Sequence, residues 1–336
     1  MFSPPEIPVL FLNYRSNFNL IRNPTLPVSL PMEMKKKTGI LYHVRLRLKS
    51  VLDRIGNEKF KSSLLQAIPF WVASLLTGLA AVLYSKIFLF AEQTTNHLFH
   101  NTSWLLFLLA PLFFLLAWWM VVRFDPYAKG SGIPQVMASI ELANPKDNYK
   151  IAKFLNLRVI LIKTLSSISM ILGGGLIGRE GPTIQIAGSI FRKINEWLPP
   201  WWPKISKRNM IMTGAAAGLA AAFNTPLGGI VFAVEELTKT HISYFKTALF
   251  SAVIIAGLTA QALFGPYLYL GYPTVDSLSA YIFLAVILVA LASGFAGSIT
   301  SKAMLWFMNR KKRLNKKYQQ ASFVLICGLV VALMAF

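Results

Sequence analysis

The chain has 336 residues, of which 55% are apolar and only 14% charged, and its mean hydropathy is +0.53. Soluble domains carry about a quarter charged residues, so this composition excludes a soluble enzyme and a disordered protein. The net charge of +21 raises the question of nucleic acid. However, residues 1–61 and 302–317 supply +14 of that charge, and both stretches flank apolar segments. This distribution is typical of the cytoplasmic loops of a membrane protein, so no nucleic-acid partner is predicted.

Motifs of enzyme chemistry are missing from the sequence. The single cysteine, Cys327, lies in an apolar run, and the four histidines are scattered without a metal-ligand spacing. The sequence contains no GxSxG motif, Walker A loop or dinucleotide fingerprint. We therefore predict neither an enzyme nor a bound metal or other cofactor.

The first 61 residues are predicted to form a basic cytoplasmic region. Met32 and Met34 directly precede three lysines, and either is a candidate start that would leave residues 1–31 as a miscalled extension. Residues 40–61 alternate basic and apolar side chains, which suits a helix lying on the membrane surface.

From residue 62 onward the sequence predicts a polytopic membrane domain. Two long apolar spans, 64–90 and 104–122, come first. Shorter segments interrupted by glycine and proline follow, and such segments are typical of helices that stop within the membrane to build a site. We predict these short segments at 131–143, 151–177, 182–194, 209–223 and 226–238, longer spans at 245–265 and 279–308, and a final run at 321–336 that is too short to cross. The predicted fold is all-α, with short, broken and tilted helices.

Glu180 is the acidic residue whose position is most suggestive. It lies in Gly178-Arg179-Glu180-Gly181-Pro182, where glycines expose backbone N–H groups and the proline suits a first helical turn. A helix start of this kind attracts anions. The Glu180 carboxylate could occupy the same place as a dissolved anion and leave it on protonation, which would couple anion and proton binding. Pairing with a nearby cation, such as Arg179 or Lys163, is the alternative.

A second turn has the same design. Gly130-Ser131-Gly132-Ile133-Pro134 combines glycines, a hydroxyl donor and a first-turn proline. A lone turn of this type is more often a tight helix connection. Two of them in an apolar chain point to an anion site near the membrane midplane.

A third segment, 214–236, contains a small-residue stripe and then a pair of acids. Gly214 and Gly218 form a GxxxG pair, for which we predict close helix packing and nothing more. Glu235 and Glu236 follow a helix break at residues 224–226. They are interpreted either as a membrane-boundary pair or as groups that pass protons between water and Glu180.

The sequences GSGIP at 130–134, GREGP at 178–182 and AAAFNTPLGGIVFAVEE at 220–236 resemble, in this order, the CLC family of chloride channels and proton/chloride antiporters. The resemblance runs from about residue 64 to the end and implies an inverted-repeat fold, of which this chain holds the first half and the start of the second. It further implies chloride and protons as transported ions, a homodimer in the complete protein and an inner-membrane location.

The resemblance also implies a role for each matching residue. Ser131 is similar to the anion-coordinating serine, Glu180 to the external gating glutamate, and Glu236 to the internal proton glutamate of the antiporters. Many bacterial members have glutamate where this chain has Gln135. Lys163 matches a basic residue of some relatives, for which a structural role is expected. The implied anion-binding set is Gly130, Ser131, Gly132, Ile133, Pro134, Gly178, Arg179 and Gly181, with Glu235 beside Glu236 on the proton path.

Complete family members supply a GxFxP motif and a C-terminal tyrosine from the second half, and this chain has neither. We therefore expect a chain that is incomplete at its C-terminus. Three functions stay open: a proton/chloride antiporter, which the Glu-Glu pair favours, a passive chloride channel, and a non-transporting fragment or assembly subunit.

Overall fold

The computed structural model describes Ser50, Asp53 and residues 56–237, 246–265, 281–314 and 316–335. The chain divides into two compact units, residues 1–51 and 52–336, and Ser50 is the one described residue of the first. The predicted surface helix at 40–61 and the candidate start sites therefore lie almost wholly outside the described residues.

The described part of the chain is helical. Its α-helices are α1 Glu58–Asn101, α2 Leu106–Phe124, α3 Ile133–Glu141, α4 Ile151–Phe154, α5 Leu157–Leu172, α6 Glu180–Trp197, α7 Lys207–Phe223, α8 Pro226–Phe232, α9 Lys246–Phe264, α10 Ile282–Lys312 and α11 Lys317–Ala335. Short 3-10 turns lie at Ser103–Leu105, Pro126–Ala128 and Asn148–Lys150, and a π-helical turn, Ala233–Leu237, follows α8.

Among the described residues, six helical stretches are long and apolar enough to cross a membrane, as predicted for a polytopic protein. They are Phe60–Asn101, Ser103–Phe124, Asn148–Leu172, Thr247–Phe264, Ile282–Lys311 and Lys317–Met334. The last of them corrects the expectation for 321–336, because the helix begins at Lys317 and the polar residues before Ala321 form its first turn. This extra turn brings α11 to 19 residues, close to the about 20 needed to span.

The first helix is much longer than its predicted apolar span. It has 44 residues, and Asn57 caps its start by accepting a hydrogen bond from the Phe60 N–H at 3.1 Å. A helix of this length measures about 66 Å, whereas the hydrocarbon core is about 30 Å thick. The polar turns at both ends continue the helix beyond 64–90, so α1 must tilt or extend past the membrane.

The centre of the molecule is formed by α6 and α7, which approach closely through small residues. A Cβ added to Gly218 would lie 2.6 Å from the Ala187 Cβ, and one on Gly214 would lie 2.9 Å from the Phe191 side chain. The predicted packing role of the GxxxG pair is therefore seen in the structure. Around this centre pack α1 and α9, with Ala252, Ala256 and Phe70 buried in the same cluster.

Packing contacts show which helix ends lie at the same end of the bundle. Ala332 near the end of α11 packs with Leu106 and Ala110 at the start of α2, directly after the last residues of α1. The start of α11 therefore lies at the opposite end of the bundle, where α1 begins. Trp202, between α6 and α7, is at that same end, because its Nε1 donates to the Leu65 carbonyl at 2.7 Å.

In contrast, α10 has an exposed surface along its whole length. Every residue from Ile282 to Lys311 is exposed, including large apolar side chains such as Phe283 and Trp306. Within the described part of the chain, this helix makes no extensive contact with another element.

Candidate functional site

The two predicted glycine turns touch each other through their backbones. A Cβ added to Gly181 would lie 2.6 Å from the Ser131 carbonyl oxygen, and one on Gly132 would lie 2.7 Å from the Gly181 carbonyl oxygen. Side chains at either position would separate the turns. Glycine at both positions therefore lets the starts of α3 and α6 come together at one place, which we call the two-turn site (residues 130–134 and 178–182).

The backbone of the Ser131 turn requires glycine for conformational reasons as well. Gly130 has φ of 73° and Gly132 has φ of 112°, values that residues with side chains rarely adopt. Ser131 between them does not have a positive φ. Backbone that alternates in this way between right- and left-handed conformations turns successive N–H groups toward a common concavity, an arrangement that binds anions in many proteins. The Ser131 Oγ accepts a hydrogen bond from the Ile133 N–H at 3.4 Å, which leaves its own O–H to donate elsewhere.

Glu180 begins α6, as its turn predicts, and its carboxylate folds back over the turn. A Cβ added to Gly178 would collide with the Glu180 Oε2, which places this oxygen directly above the Gly178 backbone. The carboxylate is half-buried at a helix N-terminus, where the macrodipole favours negative charge. The Tyr84 hydroxyl on α1 donates to the Ser167 Oγ at 3.0 Å.

Arg179 is buried on another side of the same turn. Its guanidinium carbon lies 5.8 Å from the centre of the Phe264 ring. It lines a small cavity together with Val82, Ala221 and Asn224, between α1, α7 and α9. The structure thus places this side chain among α1, α7 and α9, whereas its carbonyl stays in the turn and accepts from the Thr183 hydroxyl at 2.7 Å.

Lys163 hydrogen-bonds to the backbone of the Ser131 turn and of the segment just before it. Its Nζ is buried and donates to the Ala128 and Gly130 carbonyl oxygens, both at 2.6 Å. The expected structural role of this residue therefore has a direct geometric basis. The ammonium pairs with backbone carbonyls in the described structure, so it does not provide the cation that the alternative interpretation of Glu180 requires.

Sequence reasoning missed Gln185, which is fully buried beside the two turns. Its Nε2 donates to the carbonyls of Phe154 at 3.0 Å and Tyr127 at 3.3 Å. A signal was present, because Gln185 lies one helical turn after Gly181 and therefore on the same face of α6. The role of Gln135 was also missed; its Nε2 donates to the Tyr127 and Lys129 carbonyls.

Glu235 and Glu236 lie in the π-helical turn that follows α8. Glu235 is exposed, and the Glu236 side chain lies outside what the structure describes. Asn224, just before α8, lines the cavity beside Arg179, so the acidic pair lies roughly 15–18 Å of helix away from that point. The role of the pair in proton transfer stays a prediction.

Comparison with known proteins identifies the family and the fold. A family model described as voltage gated chloride channel matches residues 113–336. The chain is 30% identical over 261 residues to H+/Cl− exchange transporters named ClcA from Salmonella paratyphi B and Salmonella newport, a region covering 73% of this chain and 52% of each relative. The chain therefore spans about half the length of the curated relatives it matches.

Two solved structures are similar in fold. A slow cyanobacterial Cl−/H+ antiporter matches with a TM-score of 0.68 and 22% identity over 81% of this chain and 63% of the other. A CLC-type fluoride/proton antiporter matches with a TM-score of 0.65 and 22% identity over 83% of this chain and 66% of the other. The predicted all-α fold of CLC type is thereby confirmed. The chain belongs to the voltage-gated chloride channel family, a family of membrane ion-transport proteins and not of enzymes.

Proposed function

We propose that this chain transports chloride across the membrane in exchange for protons, with Glu180 as the gating glutamate. The observation that carries the proposal is the two-turn site, where the Ser131 and Gly181 backbones touch and the Glu180 carboxylate lies over its own turn. Relatives at 30% identity are named as H+/Cl− exchange transporters, which supports exchange in preference to a passive channel.

In this proposal the N–H groups of the two turns and the Ser131 hydroxyl bind the anion. Glu180, when ionised, competes for the positive ends of the same helices. When protonated, it loses that attraction and swings away, so that an anion replaces it. Glu236, with Glu235 beside it, exchanges protons with the opposite aqueous side. Because the chain spans about half the length of its relatives, transport by these 336 residues is itself part of the proposal.

The proposed setting is the cell membrane, which is the inner membrane in a bacterium with two. The basic N-terminal region, 1–61, and the basic stretch 302–317 face the cytoplasm, and the remaining residues, 62–336, form the transport domain. The proposed partners are chloride, protons, the lipid bilayer and a second copy of the complete protein.

A liposome experiment tests exchange. Purified protein is reconstituted with a chloride gradient, and proton movement and chloride flux are recorded together for the wild type, Glu180→Ala and Glu236→Ala. We expect chloride-driven proton movement in the wild type and its loss in both variants. Glu92→Ala, which removes an exposed carboxylate on α1, serves as the control and should behave as the wild type does.

The other two functions give different results in the same liposomes. A passive channel predicts a reversal potential equal to the chloride Nernst potential at every pH. A non-transporting subunit predicts no chloride flux above that of protein-free vesicles. Full proton coupling in Glu236→Ala would exclude this residue from the proton path.

A further inference from the structure

A cavity of about 340 Å³ lies between the last turns of α6, the loop 198–206 and the start of α7. Its volume falls in the range of about 300–1,000 Å³ that is usual for small-molecule sites. The described residues that line it are Ile151 and members of the segment 192–211, so the cavity is separate from the two-turn site. The proposed exchange of chloride and protons does not use it.

The loop over the cavity has a fixed shape. Its sequence, LPPWWPK at 198–204, contains three prolines, and each proline restricts φ to about −65°. The Trp202 backbone N–H donates to the Pro199 carbonyl at 2.9 Å, and the Trp202 Nε1 donates to the Leu65 carbonyl of α1 at 2.7 Å. The cavity is therefore preformed, and a ligand does not have to order the loop in order to bind.

Basic side chains outnumber acidic ones around this cavity. It is lined by Arg192, Lys204 and Lys207, and by one acid, Glu196. The acid is already paired, because it accepts a hydrogen bond from Arg192 and lies 3.6 Å from the Lys193 Nζ. Within the described part of the chain, Lys204 and Lys207 have no carboxylate partner. Since α6 ends and α7 begins here, their opposite dipole ends offset each other, and the two lysines leave the cavity positive.

The two lysines suit a phosphate group. Both are exposed, so an anion reaches them without the movement of a helix. The Lys207 Nζ donates to the Asn148 Oδ1 at 3.4 Å, a long hydrogen bond to a neutral acceptor that a charged phosphate oxygen can replace. Lysine binds phosphate in many proteins as a point charge. The cavity therefore favours a ligand that carries a phosphate.

Aromatic side chains place the cavity at the surface of the membrane. Trp197 and Trp201 are exposed and adjoin its lining residues, and tryptophan is enriched at the membrane–water boundary. Trp202 lines the cavity and contacts Leu65, so the cavity lies at the end of the bundle where α1 begins. The basic stretches assign this end to the cytoplasm, where the leaflet carries anionic lipids. Basic pockets between membrane helices on that side bind anionic lipid headgroups in other proteins.

We propose that the cavity between α6 and α7 binds the phosphate-bearing headgroup of an anionic phospholipid, with Lys204 and Lys207 on the phosphate. The chain's own basic stretches, 1–61 and 302–317, have the same sign of charge as the cavity and do not complement it. Arg192 lies about 18 Å along α6 from Glu180. Lipid binding is therefore independent of the proposed transport function, and either can fail while the other holds.

The test titrates soluble short-chain phosphatidylglycerol into the purified full chain in detergent and measures the heat of binding. Phosphatidylcholine of the same chain length and inorganic phosphate are the comparison probes. We expect saturable binding of phosphatidylglycerol, and binding of each comparison probe that is weaker by about tenfold or more. Phosphatidylcholine measures partition of lipid into the detergent, and inorganic phosphate measures recognition of a phosphate without a lipid.

Two pairs of substitutions locate the site. Lys204→Gln with Lys207→Gln should weaken phosphatidylglycerol binding by about tenfold or more, because each lysine attracts the anionic headgroup. Lys311→Gln with Lys317→Gln removes two exposed lysines from the same end of the bundle and is the matched control. The control pair should change the affinity by less than about twofold, since surface charges at a distance are screened by salt.

A further variant should change the affinity in the opposite direction. Glu196→Gln removes the acid and releases Arg192 and Lys193, so we expect about fivefold tighter binding of phosphatidylglycerol. A folding defect does not raise affinity, so this variant separates the effect of charge from damage to the fold. Unchanged or weaker binding in Glu196→Gln would contradict the proposal.

Three other results overturn the proposal. An equal loss of affinity in the two lysine pairs would show attraction by general surface charge. Equal affinity for phosphatidylglycerol and phosphatidylcholine would show that the charge of the headgroup is not recognised. Inorganic phosphate that binds as tightly as phosphatidylglycerol would reassign the cavity to a soluble phosphate.

Discussion

At the scale of single residues, Gly178 and Glu180 show how one missing side chain makes room for another. The Glu180 Oε2 occupies the space where a Cβ of residue 178 would lie. The neighbouring glycine contact is different, because Gly181 approaches the backbone carbonyl of Ser131, which cannot move aside easily. A methyl group at 178 thus displaces only the end of a flexible side chain, whereas one at 181 pushes two helix starts apart.

This difference predicts that Gly178→Ala alters gating without unfolding the protein. The added Cβ forces the carboxylate out of its place, as protonation does in the proposed mechanism. We therefore expect chloride flux that no longer rises on acidification, with a thermal unfolding temperature within a few degrees of the wild type. Flux from liposomes across a series of pH values measures the first quantity. Gly56→Ala, at a glycine with open space around it, is the control.

Retention of the wild-type pH dependence in Gly178→Ala would contradict the position assigned to the Glu180 carboxylate. Loss of the folded protein in this variant would contradict the argument that only a flexible side-chain end must move.

At the scale of elements, the contact between α6 and α7 decides where the two-turn site lies. α6 carries Glu180 at its start and Ala187 against Gly218 in its middle. The residues of α7 around this contact are fully buried on more than one side. Ala215 clusters with Ile184 and Ala217 with Phe191, both on α6, whereas Ala216 clusters with Leu249 and Val253 on α9. A close approach of two helices maximises dispersion contacts, which drive helix association in lipid in the absence of a strong hydrophobic force.

We predict that Gly218→Ala destabilises the folded protein by about 1–3 kcal/mol, the usual cost of overpacking. The new Cβ would lie 2.6 Å from the Ala187 Cβ and 3.0 Å from the Thr183 carbonyl oxygen, so the helices must separate. Gly294→Ala on the exposed α10 has nothing within 4 Å and should be neutral or more stable by up to about 1 kcal/mol. Thermal unfolding of both variants in the same detergent provides the comparison.

An equal effect of the two substitutions would show that helix propensity, and not packing, governs stability at Gly218.

At the scale of the whole molecule, the basic stretch after α10 and the start of α1 lie at the same end of the bundle. This follows from the packing of Ala332 against Leu106, since α11 runs about 22 Å from its start at Lys317 to that contact. Both places carry positive charge. An excess of Lys and Arg is typical of cytoplasmic loops, so we expect this end of the bundle to face the cytoplasm.

We therefore predict that a thiol reagent that does not cross membranes labels Lys311→Cys from the cytoplasmic side only, and Asn101→Cys from the opposite side only. Both positions are exposed and lie at opposite ends of the bundle. The natural thiol is removed first by Cys327→Ser. Labelling of intact cells and of inverted vesicles, followed by a mass shift, measures the result. Labelling of both positions from one side would contradict the arrangement of the helices.

The local pattern of the sequence predicted most of the helices and several of their breaks. It did not predict the break within the segment 151–177, where the structure has the separate helices α4 and α5. The helix starts beside Pro134 and Pro182 follow from proline and glycine, which act over a few residues, and so does the break at Asn224, which has φ of 56°. The span Lys246–Phe264 follows from its hydrophobic run. Helix ends were less predictable. Polar turns extend α1 and α11 beyond their apolar runs, because helical hydrogen bonding continues wherever no residue opposes it.

The sequence by itself determined that this is a polytopic α-helical protein of the chloride channel family, since hydrophobicity and glycine motifs are properties of the chain. Only the tertiary structure decided which groups meet: Ser131 with Gly181, the Glu180 carboxylate with the Gly178 backbone, and Gln135, Gln185 and Lys163 with the carbonyls of 127–130. Such contacts join residues far apart in sequence. They depend on how α3, α5 and α6 pack, and no local pattern encodes that packing.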